Sequence, residues 1–88
     1  MVVYCRKNGR DVNRVGYTVS TKLGKAVTRN RVRRRLREIY RLNADKLISG
    51  TDMVIVARSA CVNGDYAKIE KAFLHACAEL GLVKGEKK

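Results

Sequence analysis

The stretch from Lys22 to Arg41 restricts what this chain can fold into more than any other. It carries Lys22, Lys25, Arg29, Arg31, Arg33, Arg34, Arg35, Arg37 and Arg41 against a single acid, Glu38. From about Ala26 the apolar residues recur with a helical period. At ~100° per residue, Val32, Leu36, Ile39 and Tyr40 share one arc of about 100°, while Asn30 and all the arginines but Arg29 fill about 200° of the other side. Such a helix needs an apolar layer behind it and leaves a guanidinium face in front. On an isolated helix, like charges three or four residues apart (Arg31 with Arg34 and Arg35, Arg33 with Arg37) cost about 0.2–0.5 kcal/mol each. A face meant only for water mixes its signs; one that accumulates repulsion is explained by a bound polyanion. The choice of arginine over lysine points the same way, because the planar guanidinium contacts phosphate in a two-pronged fashion and stacks on bases.

The layer behind the helix is legible on both sides of it. Val2 to Arg6 is β-prone, and Lys7 to Asp11 is a polar, glycine-containing connection of hairpin type. Arg14 to Ser20 alternates Val15, Tyr17 and Val19 with Gly16, Thr18 and Ser20, a half-buried strand. Gly24 gives the loop freedom before the basic helix. That helix is expected to run through Leu42 and Leu47 until Gly50 stops it. Asp52 to Arg58 is an apolar run short enough for a buried strand. Asn63 or Asp65 then caps a second helix whose inward positions are Tyr66, Ile69, Phe73, Ala76 and Leu80, with Gly81 as its stop. The order β-β-α-β-α predicts an α+β fold, a two-layer sandwich of a small sheet with helices. Residues 1–83 form one domain, and 84–88 a frayed basic tail. If the strands flanking the basic helix are parallel neighbours, the general preference is for a right-handed crossover.

With 88 residues and a net charge of +12, this is a small cationic domain with an ordinary apolar fraction of 45%. No apolar run approaches the ~18 residues of a membrane span, and the first residues lack the pattern of a secretory signal. Cys5, Cys61 and Cys77 show no paired spacing. With His75 they are too scattered for a zinc site, so they read as reduced thiols packed as small apolar groups in a cytoplasmic protein. No constellation for acid–base or nucleophilic catalysis is present. A membrane-surface helix would need a broader apolar face with large side chains. Sequence-specific DNA binding would need a short helix where residues 14–20 form a strand. Two RNA-binding roles stay open, a subunit of a ribonucleoprotein enzyme and a ribosomal-type structural protein. Asn30, amid the arginines, suits an RNA base edge or 2′-hydroxyl as well as it suits water at a helix start. Tyr4 and Tyr17 are both able to stack on unpaired bases, though Tyr17 alternates with valines and is assigned to the core.

The segment from Val15 to Glu38, VGYTVSTKLGKAVTRNRVRRRLRE, resembles the signature of the bacterial ribonuclease P protein subunit. That family has a strand ending in a VSKK-like sequence, a GNAVxRN-like turn and an Arg-Asn-Arg helix with further basic residues. Asp52 to Arg58 resembles its next strand and Tyr66 to Leu82 its last helix. The resemblance implies a partner RNA that carries the active site with its Mg2+ and removes the 5′ leader of precursor tRNA. It implies that Arg29, Asn30, Arg31, Arg33, Arg34, Arg37 and, further along the same face, Arg41 bind that RNA. Tyr4, Ser20, Lys22 and Lys25 are then leader-side residues, no cofactor or metal is bound by the chain itself, and the crossover is left-handed. The family begins with about one helix and a turn before the strand that starts here at Val2. That N-terminal helix is absent from this sequence, so the expectation is an uncovered sheet face open to self-association. Arg35, where the family commonly has an apolar residue, extends the basic face.

Overall fold

In the computed structural model, which describes residues 1–84, the chain forms β1 (Val2–Lys7), β2 (Arg14–Thr18), α1 (Ala26–Asn43), β3 (Thr51–Val56), α2 (Ser59–Asn63) and α3 (Tyr66–Glu79). The expected α+β sandwich is present. Apart from Lys84, the expected basic tail lies outside the described residues.

The sheet order is β1-β3-β2, with β3 antiparallel to β1 and parallel to β2. The hairpin reading of residues 7–11 is therefore corrected: β1 and β2 are not neighbours, because β3 lies between them. β3 pairs along both of its edges, and the polar turn signal in residues 7–11 does not specify which strand β1 pairs with. The loop between β1 and β2 is tied instead to the start of β3. Asn13 donates to the Ile48 carbonyl at 3.0 Å and accepts from the Thr51 amide at 2.9 Å. Asn8 donates to the Val12 carbonyl and to Asp52 Oδ1, both at 3.0 Å.

One face of the sheet is covered. Val3 of β1 and Met53 and Ile55 of β3 form a single core with Val32, Leu36 and Ile39 of α1, and with Ile69, Phe73 and Cys77 of α3. The expected apolar stripe of α1 is thus the buried one, and Tyr40 meets Phe73 edge-on at 6.5 Å and 78°. On α3 the stripe turns: Cys77 is buried four residues after Phe73, whereas Leu80 is 43% exposed, contrary to its expected inward place. Burial pushes the Cys77 thiol up to about 11, in keeping with a thiol packed as an apolar group.

α1 ends earlier than expected, at Asn43. The Asn43 side chain is buried and donates back to the Ile39 carbonyl and across to Glu70 Oε2, both at 2.8 Å. A side chain that satisfies the last turn in this way competes with further helix. The chain then makes a 3₁₀ turn at Ala44–Lys46 and pairs with the C-terminal segment, Ile48 donating to the Leu82 carbonyl at 2.8 Å. Gly50 is not a helix stop. It adopts φ 81° in the turn into β3, where a Cβ would lie 2.7 Å from the Arg10 carbonyl oxygen. The short helix α2 follows Arg58 before α3 and was not expected. Asp65 precedes α3 at the expected place, but its side chain makes no capping hydrogen bond.

Candidate nucleic-acid interface

Because β2 and β3 are parallel neighbours, the 18-residue helix α1 is the crossover between them, and it lies with its apolar stripe on the covered face of the sheet. The opposite side of α1 carries the charge. Arg31, Arg34, Arg37 and Arg41 are exposed; Arg29, Arg33 and Arg35 are half-buried. Two of the arginines hold local contacts. Arg29 Nε donates to the Gly24 carbonyl at 3.2 Å, and Arg33 donates to Asn30 Oδ1 at 3.2 Å. Asn30 therefore faces outward and orders Arg33 from one turn earlier. Among the described residues, none of the seven arginines of α1 has an acidic partner within 4.0 Å; the ion pairs belong to Arg6, Arg14 and His75. A helix face with this much uncompensated charge is able to hold phosphates through its guanidinium groups.

Val27 was missed by the sequence reading. It is 73% exposed and lines, with Asn30, Arg31 and Arg34, a shallow depression of about 330 Å³. On the helical wheel it falls inside the arginine arc, away from the apolar stripe, and that position was the available signal.

The second surface is the face of the sheet that the described residues leave uncovered. The strand register stacks three rungs on it: Arg6, Asp52 and Arg14; then Tyr4, Val54 and Gly16; then Val2, Val56 and Thr18. The outer rungs are about 13 Å apart along the strands. Tyr4 is 60% and Val54 41% exposed, and both border a depression of about 290 Å³. Beyond the third rung the chain turns through Ser20, Lys22 and Lys25 into α1. Lys22 and Lys25 are exposed, and the Ser20 hydroxyl accepts the Lys22 amide at 3.1 Å to start a 3₁₀ turn. Tyr4 lies on β1, one edge strand, and the three loop residues follow the end of β2, the other edge strand. Tyr17 points to the covered side and is half-buried, as expected of a core residue; burial raises its phenol pKa against the pull of the Arg37 charge.

Asp52 was also missed as a site residue, because its partners come from distant sequence. It accepts two hydrogen bonds from Arg14, Nε to Oδ1 at 2.9 Å and Nη2 to Oδ2 at 2.7 Å, with Arg6 at 4.0 Å and Asn8 also donating. These bonds, Arg14's first, hold the carboxyl well below the usual carboxylate range. A lowered pKa contributes stability in full above the unfolded value near ~3.9 and loses it as pH falls toward the folded one. Asp52→Asn is expected to lower the melting temperature at neutral pH, and the gap to the parent should narrow steadily from about pH 4 downward. Thermal unfolding across that range checks it; a gap constant to about pH 2 contradicts it.

Among the described residues, no three His, Cys, Asp or Glu side chains come together as a metal site, and no helix is long and apolar enough to cross a membrane. The fold and its surfaces define a class: a small α+β protein with an arginine-faced crossover helix beside an open, aromatic-bearing sheet. Comparison with known proteins narrows the class to one family. The family model for ribonuclease P matches residues 1–81, and the chain belongs to the ribonuclease P protein family. It is 47% identical over 83 residues to the ribonuclease P protein component of Alkaliphilus oremlandii, covering 94% of this chain and 73% of that protein. It is 45% identical to the corresponding component of Clostridium botulinum, covering 93% and 75%. Among solved structures it resembles the RNase P protein of Staphylococcus aureus, with a TM-score of 0.81 at 28% identity over 93% of this chain and 75% of that one. The Thermotoga maritima RNase P protein matches with a TM-score of 0.77 at 35% identity, over 83% and 70%.

Proposed function

We propose that this chain is the protein subunit of a bacterial ribonuclease P that binds the enzyme's RNA through α1 and the 5′ leader of precursor tRNA along the open sheet face. The observation that carries the reading is the arginine face of α1, which has no acidic partner among the described residues. In this reading Arg29, Asn30, Arg31, Arg33, Arg34, Arg37 and Arg41 contact the RNA subunit, and Arg33 is held in place by Asn30. Tyr4 offers its ring to an unpaired leader base, and Lys22 and Lys25 neutralise leader phosphates as the strand passes toward α1. Ser20 shapes the turn that presents them. The chain supplies binding and charge rather than a reacting group. Hydrolysis and Mg2+ belong to the RNA subunit, and the assembly works in the cytoplasm, where precursor tRNA is made. A ribosomal-type role loses its footing once the family is known. In the RNA-free protein the same open face is exposed to a second copy.

The leader assignment is tested by comparing precursor tRNA with leaderless tRNA on the holoenzyme assembled from a bacterial ribonuclease P RNA and this chain. Tyr4→Ala is expected to weaken binding of the precursor by about fivefold to tenfold, the loss of one base–aromatic stack. Leaderless tRNA should bind as before. An undiminished preference for the precursor in the variant contradicts the assignment.

A further inference from the structure

Gly16 sits in the middle of β2, where a glycine gives up packing and conformational stability that almost any other residue would supply. The backbone does not explain it. Its φ is not among the positive ones, which belong to Gly9, Gly24, Gly50 and Gly81. Crowding within the protein does not explain it either. A Cβ built at Gly16 would meet nothing within 4 Å, whereas one at Gly64 would lie 2.3 Å from a carbonyl oxygen. Among the described residues, what remains is the space outside the sheet. Gly16 faces the uncovered side, on the rung with Val54 and Tyr4, and lies two strand spacings, about 10 Å, from Tyr4. Its neighbours on that face of β2 are Arg14, whose guanidinium is held by Asp52, and Thr18. A glycine at such a place marks close approach of a ligand to the strand.

From this we infer that Gly16 is a specificity-determining residue of the leader path. Its missing side chain leaves the notch through which the sugar–phosphate of the nucleotide stacked on Tyr4 crosses the sheet between Arg14 and Thr18. The inference rests on the leader reading above and adds to it the point of closest contact.

The test uses the same holoenzyme with Gly16→Val and Gly16→Ala, and Tyr4→Ala beside them. Gly16→Val is expected to melt at or above the parent temperature, since the added side chain favours a strand and meets no atom. It should weaken binding of leader-bearing precursor by about tenfold, Gly16→Ala by less, and leave leaderless tRNA unaffected. Three results overturn the inference: parental binding of the precursor by Gly16→Val, an equal loss on leaderless tRNA, or a marked fall in melting temperature. A Gly16→Val protein that changes its sedimentation but not its leader binding also overturns it, assigning the space to a second copy. If Tyr4→Ala weakens the precursor and Gly16→Val does not, this inference fails alone. If both are silent, the leader reading fails with it.

Discussion

Replacing Arg31 and Arg34 together with alanine is expected to weaken binding to ribonuclease P RNA by about twentyfold near 0.15 M salt, and to flatten the salt dependence by about 0.7–0.9 per lost phosphate contact. Both side chains are exposed, lie opposite the buried stripe of Val32, Leu36 and Ile39, and make no ion pair among the described residues. Their removal therefore leaves the core intact, and alanine favours the helix as strongly as arginine does. It also relieves the repulsion between two like charges three residues apart. The double variant should melt no lower than the parent while losing RNA affinity, a separation that a folding defect cannot produce. Lysine at both positions keeps the charge and so most of the salt dependence, but loses the two-pronged geometry. Binding isotherms over a range of salt concentrations read all three effects. A slope unchanged in the alanine variant would mean that α1 is not the RNA surface.

The helices were more legible in the sequence than the sheet. The stripe of α1 follows from local periodicity, and local periodicity is what survives folding when a helix lies on a single layer. The end of the same helix was not legible. Asn43 stops it through Glu70 on α3, a contact between residues 27 apart. The order of the strands was lost for the same reason. Residues 7–11 carry a turn signal, but the partner of β1 is β3, more than forty residues away, and nothing in the local pattern of β1 points to it.

The candidate surfaces divide in the same way. The arginine face needed only the helical period, and the structure leaves it unpaired among the described residues. Val27 was readable from its place on the wheel but was passed over because an exposed valine is ordinary on its own. The rung of Arg6, Asp52 and Arg14 and the exposed pair Tyr4 and Val54 exist only once β3 lies between the other strands, so no reading of the chain in order reveals them. Gly16 was placed correctly on the outer side of its strand. Its significance appears only when a Cβ there is seen to meet nothing.

The most direct effect is expected in catalysis by the assembled enzyme. At low Mg2+, the phosphates of two RNA molecules repel each other with little screening, and in the proposed reading a chain of net charge +12 that binds both the RNA subunit and the precursor reduces that repulsion. The measurement is cleavage of a 5′-extended precursor tRNA by a bacterial ribonuclease P RNA at low Mg2+, with and without this chain, at protein concentrations that saturate RNA binding. Cleavage should be accelerated by about tenfold or more, and the advantage should shrink as Mg2+ is raised and screens the phosphates itself. An identical rate with and without the bound chain would contradict its role as a working subunit of the enzyme.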